Sequence, residues 1–201
     1  MNEKAAPGQD IPTSLPVYIQ DASYTAQEDQ SDWEERSIAL KASLEKEFGC
    51  AFQDADIWPG ASLPAFVVQL AGEAWPYLAM ALYVFFKGKD IEENLDAWPK
   101  LYERINPFRK YKPYFNREGS AVLALKAIRE ALGHEPSSIR LVGYRATQVG
   151  EPPLDWDAVT GIDDGPTELY VGWVAHLFRI EADGRLFNVA VEQNEVFIVE
   201  G

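Results

Sequence analysis

One apolar run, residues 63–86, constrains the fold of this chain more than any other feature. Its sequence, LPAFVVQLAGEAWPYLAMALYVFF, has 24 residues and one formal charge, Glu73. A lone carboxylate at the centre of a bilayer costs roughly 2.5–3.5 kcal/mol, and Pro76 breaks helical hydrogen bonding. The part after Glu73 has only 13 residues, a length typical of a buried core helix. We therefore predict a buried helix over 63–86, as one or two segments hinged at Pro76; the alternative is contact with a membrane or a hydrophobic partner.

Glu73 is the one acid inside this run, and its environment must explain it. A carboxylate in an apolar segment has to be paired, protonated or exposed to solvent. The simpler hypothesis is a buried ion pair with an arginine such as Arg140 or Arg145. The alternative is an acid that handles a proton.

The bulk composition indicates a globular, acidic chain. It has 201 residues, 47% of them hydrophobic, and a net charge of −14. We predict a flexible leader over residues 1–14 and a single globular domain over 15–201. The negative charge argues against binding to nucleic acid or anionic lipid. The single Cys50 excludes an internal disulfide, and no apolar signal segment is apparent at the N-terminus, so we expect a cytoplasmic protein.

The order of predicted elements indicates an α+β fold, with N-terminal and central helices packed on a C-terminal antiparallel sheet. A capping box, Ser31-x-x-Glu34, starts the first helix. Later helices are predicted over 91–105, which Asp90 would cap and Pro99 would bend, and over 120–132. Short strands are predicted at 17–19 and within 50–58, and longer strands at 139–149, 169–181, 185–192 and 196–200. Tight turns at Asp183-Gly184 and Gln193-Asn194 join the last three strands into a meander.

A loop rich in Gly, Pro and Asp, residues 150–167, is the predicted partner-binding region. Clustered carboxylates suit Ca²⁺ or Mg²⁺, but their spacing does not match a Ca²⁺-loop motif, so we predict no metal and no cofactor. A solvated acidic loop is the simpler interpretation, and such a loop can select a basic protein partner. The candidate partner-binding residues are Asp155, Trp156, Asp157, Asp163, Asp164 and Glu168.

A basic segment stands between two acidic parts of the chain. Residues 1–60 and 135–201 each carry 12 acids and 4 bases, whereas 104–117 has five bases, no acid and several interleaved aromatic residues. This composition is used for phosphate or single-stranded nucleic acid, but in an acidic chain we favour an internal dock or a protein contact. The residues of this candidate phosphate or partner patch are Arg104, Arg109, Lys110, Lys112 and Arg117.

No catalytic motif is apparent in the sequence. The nucleophile-elbow, zinc-protease, P-loop and dinucleotide-binding patterns are missing. His134 and His176 have no neighbouring His or Cys at metal-ligand spacing. His176 with a nearby acid could act as a general base, although a lone strand histidine is more often a core or surface residue.

These observations predict a non-enzymatic, acidic protein-interaction protein that binds a basic partner. An immunity or antitoxin-like inhibitor of a nuclease toxin is one such protein. One alternative is a peripheral membrane or lipid-contacting protein that uses residues 63–86 and 104–117. Another is an enzyme with a non-local site near His176. The sequence leaves the oligomeric state open.

Overall fold

The computed structural model describes residues 13–21, 32–57, 64–72, 75–92, 95, 97–149, 155–163 and 171–201. In these ranges the helices are α1 (Trp33–Phe48), α2 (Trp75–Phe86), α3 (Ala97–Ile105) and α4 (Arg117–Leu132). The first strands are β1 (Leu15–Gln20), β2 (Gln53–Ala55), β3 (Ala65–Leu70) and β4 (Tyr114–Phe115). The later strands are β5 (Ile139–Gln148), β6 (Gly161–Ile162), β7 (Val174–Ala182), β8 (Arg185–Glu192) and β9 (Glu195–Glu200). The α+β class is confirmed.

The predicted C-terminal sheet is present and larger than expected. Its strand order is β6-β5-β7-β8-β9, and the last three strands form the predicted antiparallel meander. Strand β7 begins at Val174 and not at the predicted residue 169, because Val171–Trp173 form a 3₁₀ helix. Asp183, Gly184 and Gln193 have the positive φ angles that tight hairpin turns require. The last turn contains two residues, 193 and 194, which fixes the register of β9 against β8.

The prediction of a helix over 63–86 is wrong for its first half. Residues Ala65–Leu70 form β3, and the helix begins at Trp75. A continuous apolar run suits a strand buried on both faces as well as a buried helix, and Ala65 to Val68 are all buried. Glu73 and Ser31 lie outside the described residues, so the predictions for their side chains have no counterpart in the structure.

A four-stranded sheet that the sequence analysis did not predict surrounds β3. Its order is β2-β3-β1-β4, so β3 pairs with β1 and β2. On one face Phe66 and Val68 join the main core; on the other, Ala65 packs in a small cluster with Ile57 and Tyr114. Both faces of β3 are therefore covered.

The third helix begins later than predicted. It starts at Ala97, whereas Ile91 forms an isolated bridge with Ile139, with backbone N···O distances of 2.8 and 3.0 Å. Pro99 therefore lies in the first helical turn, where its missing N–H costs nothing, and produces no bend within a longer helix. The segment predicted as a connector, 106–115, is a 3₁₀ helix (Asn106–Tyr111) followed by β4.

Helix α4 joins the two sheets. It contacts β1 and β4 of the N-terminal sheet and β7, β8 and β9 of the C-terminal sheet. Asn116 caps it by accepting a hydrogen bond from the Gly119 amide at 3.1 Å, and Gly133 ends it in the left-handed conformation. Residues of both sheets belong to one core cluster. Among the helices in the described ranges, none is long and apolar enough to cross a membrane.

Candidate functional site

The outer face of the C-terminal sheet is the side turned away from the core. Because side chains alternate along strands, residues paired across the ladders share a face. Arg179, Asn188 and Val199 form one cross-strand row on the outer face, with one residue each from β7, β8 and β9. The neighbouring residues Phe178 of β7 and Val189 of β8 are fully buried on the core side. Adjacent strands lie about 4.8 Å apart, so the row spans roughly 10 Å.

The acidic loop is anchored to this outer face. Gly143 of β5 pairs with Arg179, and a Cβ at position 143 would overlap the carbonyl oxygen of Val159, so the loop backbone crosses β5 where only glycine fits. Val159 is buried, and β6 then pairs in parallel with β5. On β7, the Arg179 Nη2 atom lies 3.6 Å from Oδ1 of Asp157. The loop is therefore held by packing and by strand pairing.

The predicted loop residues that the structure describes lie at the surface. Asp155 is exposed and accepts a hydrogen bond from the Asp157 amide at 3.0 Å, which starts a short 3₁₀ turn. Asp157 and Asp163 are exposed, and Trp156 is partly buried. The Asp163 amide donates to the Tyr144 carbonyl at 3.0 Å. Asp164 and Glu168 lie outside the described residues.

Beside the loop, the outer face exposes apolar side chains on the edge strand β9. Phe197 is 55% exposed and Val199 is 60% exposed. Sequence analysis identified the strand but not this surface, although the run VFIV, apolar at consecutive positions, indicates apolar groups on both faces. Among the described strands β9 ends the sheet, so none of them lies on the far side of its apolar residues.

Two glutamates face one another beside the turn of the β8–β9 hairpin. Glu192 and Glu195 are directly opposite across the β8–β9 ladder, and like charges at such positions destabilise a sheet. Within the described ranges no cation forms an ion pair with either of them. The hairpin thus carries a concentrated negative charge next to Phe197.

The candidate basic patch of 104–117 is largely engaged in internal contacts. Arg104 Nη1 donates to the Ala71 carbonyl at 3.2 Å, and Lys110 pairs with Glu47 of α1. Arg109 donates to the Tyr102 hydroxyl at 3.1 Å and to the Asn194 carbonyl of the β8–β9 turn at 3.3 Å.

The other two cations of the patch differ, since Arg117 makes internal contacts and Lys112 makes no ion pair within the described residues. Arg117 pairs with Glu118 at 3.0 Å and covers the Phe86 ring at 4.3 Å. Lys112 is exposed, and the described part of the chain offers it no ion pair. Lys112 ends the 3₁₀ helix in the left-handed backbone conformation, with a φ angle of 48°. The geometry favours the internal dock over a phosphate site.

His176 lies in the core of the C-terminal sheet. It is 6% exposed, and its Nδ1 lies 2.9 Å from the Tyr144 hydroxyl in a hydrogen bond. Burial is the main cause that lowers the pKa of His176 to about 4, with a smaller contribution from the charge of Arg117. The ring is therefore neutral at physiological pH and closed to substrate, a poor arrangement for a general base.

The remaining ionisable candidates are surface groups. His134 is exposed, with its Nδ1 2.9 Å from the Glu135 carbonyl. Arg140, one proposed partner of Glu73, contacts Glu181 at 2.5 Å and Asp90 at 3.7 Å. In the described ranges, no group of three or more His, Cys, Asp or Glu side chains could hold a metal ion.

A cavity of about 510 Å³ lies between α3 and α4. Apolar residues such as Trp98 and Leu125 form part of its wall, and charged residues line it as well. Lys126 pairs with Glu130 at 2.5 Å, and Arg129 pairs with another acid at 2.6 Å. These cations are neutralised within the protein, so neither offers an unpaired positive charge to a ligand in the cavity.

No protein-family model matches this chain, and neither a curated protein nor a solved structure is significantly similar to it. The function therefore has to be inferred from the surface itself.

Proposed function

We propose that this chain is a non-enzymatic, acidic protein-interaction protein that binds a basic partner protein through the outer face of its C-terminal sheet. The observation that carries the proposal is the placement of the acidic loop beside exposed apolar residues. Asp157 is held at Arg179, and Val199 lies in the same cross-strand row. Apolar groups with charged groups around them are the usual composition of a protein interface.

The charge distribution supports a basic partner. The chain has a net charge of −14, and its basic segment is mostly occupied by internal contacts. Repulsion between Glu192 and Glu195 would be relieved by a cationic group of the partner. Complementary charge of this kind accelerates association and rejects wrong partners. An inhibitor that covers the basic surface of a nuclease toxin would have this surface.

The two alternative functions have less support. A lipid-contacting role for residues 63–86 requires their apolar side chains to reach the surface, but most of those in β3 and α2 are buried. The exposed large apolar residues on α2 are Tyr77 and Met80. An enzyme near His176 would need access to a ring that the core encloses.

The test is a charge-removal variant in the loop. The four changes Asp155→Asn, Asp157→Asn, Asp163→Asn and Asp164→Asn remove four negative charges together. The full-length chain is first used to isolate its partner from cells that express it. Calorimetry then measures the affinity of that partner for both versions at low and at high salt. We expect weaker binding by the variant, mainly through slower association, and a smaller dependence on salt.

A matched control removes the same charge elsewhere. Its changes are Glu34→Gln, Glu35→Gln, Glu92→Gln and Glu103→Gln, at exposed positions away from the loop. If net charge alone attracts the partner, both variants lose the same affinity and the proposed surface is wrong. Equal affinity of the loop variant and the original chain would also contradict the proposal.

A further inference from the structure

The edge of strand β9 carries backbone hydrogen-bonding groups that point away from the sheet at defined positions. In an antiparallel ladder, residue pairs alternate between hydrogen-bonded and non-hydrogen-bonded. The Gly201 amide donates to the Leu186 carbonyl at 2.9 Å, which marks that pair as hydrogen-bonded. Counting back by two, Phe197 and Val199 face β8 with their backbone groups. The N–H and C=O groups of Val196 and Ile198 therefore point away from the sheet.

No described residue covers these outward groups. Strand β9 is at the end of the sheet order, and none of the backbone hydrogen bonds outside the regular elements involves Val196 or Ile198. Of the strands that end the two described sheets, β9 has six residues, whereas β2 has three and β4 and β6 have two each. It is the longest sheet edge in the described part of the chain.

Three usual protections of an edge strand, namely lysine, proline and a bulge, are missing from β9. Natural edges carry lysine, proline, a bulge or a covering segment, because an open edge pairs with other chains. The sequence of β9, EVFIVE, contains neither lysine nor proline, and its register with β8 is unbroken. Its charged residues, Glu195 and Glu200, stand only at the ends. The central residues form an apolar template for another strand.

The charges at the ends determine which strand fits. If a second copy of this chain paired antiparallel with β9, each end of the new ladder would carry Glu195 of one copy near Glu200 of the other, and two chains of net charge −14 would meet. Like charges directly opposite destabilise a sheet, whereas opposite charges stabilise it. Charge complementarity therefore favours a strand with cationic side chains over self-association.

We propose that the basic partner binds by strand addition, with one of its strands extending the C-terminal sheet at β9. This inference rests on the proposed function and specifies how the partner is held. Main-chain hydrogen bonds to Val196 and Ile198 supply affinity that is independent of the partner's sequence. Specificity comes from the outer face, where Phe197 and Val199 contact apolar side chains and the Glu192–Glu195 pair contacts cations.

The experiment uses the full chain and three synthetic probes. The first is a short amidated peptide that alternates lysine and valine. The second has the same side chains with every backbone nitrogen methylated, so neither edge of the peptide can donate hydrogen bonds. The third has glutamate in place of lysine. NMR records the binding affinity and the amide exchange rate of each β9 residue.

In the free protein, the amides of Val196 and Ile198 should exchange faster than those of Phe197 and Val199. The lysine peptide should slow amide exchange at Val196 and Ile198 and leave exchange at Phe197 and Val199 unchanged. Methylation should weaken the binding about tenfold, equivalent to about 1.4 kcal/mol of hydrogen bonding. The glutamate peptide should not bind.

Each contrary result has a distinct meaning. If the lysine and methylated peptides bind equally well, the acidic surface still attracts a basic partner, but strand addition is wrong. If Val196 and Ile198 are protected in the free protein and protection rises with protein concentration, a second copy occupies the edge and the inference fails. It also fails if the lysine peptide leaves both amides unprotected.

A pair of matched variants tests the outer-face contacts. Phe197→Lys with Val199→Lys should weaken the lysine peptide about tenfold, because it adds like charge and removes apolar area. Tyr77→Lys with Met80→Lys adds the same charge at apolar positions of α2 that are similarly exposed and should have a much smaller effect. Equal loss in both variants would overturn the assignment of the peptide to β9.

Discussion

The two sheets of this protein are built in opposite ways. The N-terminal sheet gathers strands from distant parts of the chain, from β1 at Leu15–Gln20 to β4 at Tyr114–Phe115, and buries its central strand on both faces. Strands β7, β8 and β9 of the C-terminal sheet follow one another through tight turns, and β9 ends the sheet among the described strands. The first sheet therefore contributes chiefly to stability, while the second presents a surface that can change without loss of the fold.

The same substitution in the two sheets provides the sharpest contrast. Val68 of β3 is 3% exposed, and Val199 of β9 is 60% exposed. Val68→Asp should cost at least about 4 kcal/mol of unfolding free energy, because it buries an unpaired charge and removes packing. Val199→Asp should cost less than about 1 kcal/mol, since the new carboxylate stays in water. Urea unfolding followed by circular dichroism measures both values.

This comparison would break down if the two variants lost similar stability. A large cost at Val199 would mean that β9 is covered in solution, against both the open edge and the proposed partner surface. A small cost at Val68 would mean that the N-terminal sheet does not support the core.

The core side of the C-terminal sheet should be sensitive to acid through His176. Burial lowers its pKa from 6.5 to about 4, so the unfolded chain binds the proton first as the pH falls. The stability associated with the neutral ring is fully present above pH 6.5 and is lost between pH 6.5 and pH 4. The loss amounts to about 3 kcal/mol at about 1.36 kcal/mol per pKa unit.

A histidine comparison isolates this effect from general acid denaturation. His176→Phe removes the titrating group, so the original chain should lose about 3 kcal/mol relative to this variant between pH 7 and pH 4. His134→Phe, at an exposed position, should show no such relative change. Parallel stability curves for the original chain and His176→Phe would show that the ring is accessible to protons in the folded state, which would reopen the possibility of a catalytic role.

The sequence predicted the C-terminal sheet well because its signals are local. Turn residues at Asp183-Gly184 and Gln193-Asn194 and the alternation between them are sufficient to define three strands. The N-terminal sheet depends on pairing between distant segments, such as Val17 with Val68. In the 63–86 run, a nearly continuous apolar sequence is consistent with a helix or with a strand covered on both faces, so only the tertiary context decides.

The candidate surface was predictable only in part, for the same reason. The acids of 155–163 are adjacent in sequence, and their clustering was apparent. Their position on the outer face depends on Gly143 and on Arg179, which lie on different strands. The opposition of Glu192 and Glu195 could have been deduced from the two-residue turn at 193–194, because such a turn places its flanking residues opposite one another.

The smallest expected effect concerns that glutamate pair and links the stability of the C-terminal sheet to its function. Glu192→Lys replaces repulsion across the β8–β9 ladder with attraction and should stabilise the fold by about 0.5 kcal/mol. It should also weaken binding of the basic partner, because it places a cation where we expect the partner's own cation. Glu92→Lys makes the same change in charge outside the sheets and should leave the stability of the hairpin unaltered.

Thermal unfolding and calorimetric affinity, measured for the original chain and both variants, test this prediction. A Glu192→Lys chain that gains no stability would show that the two carboxylates do not oppose each other in solution, whereas one that gains stability and binds as before would move the partner away from this end of the hairpin.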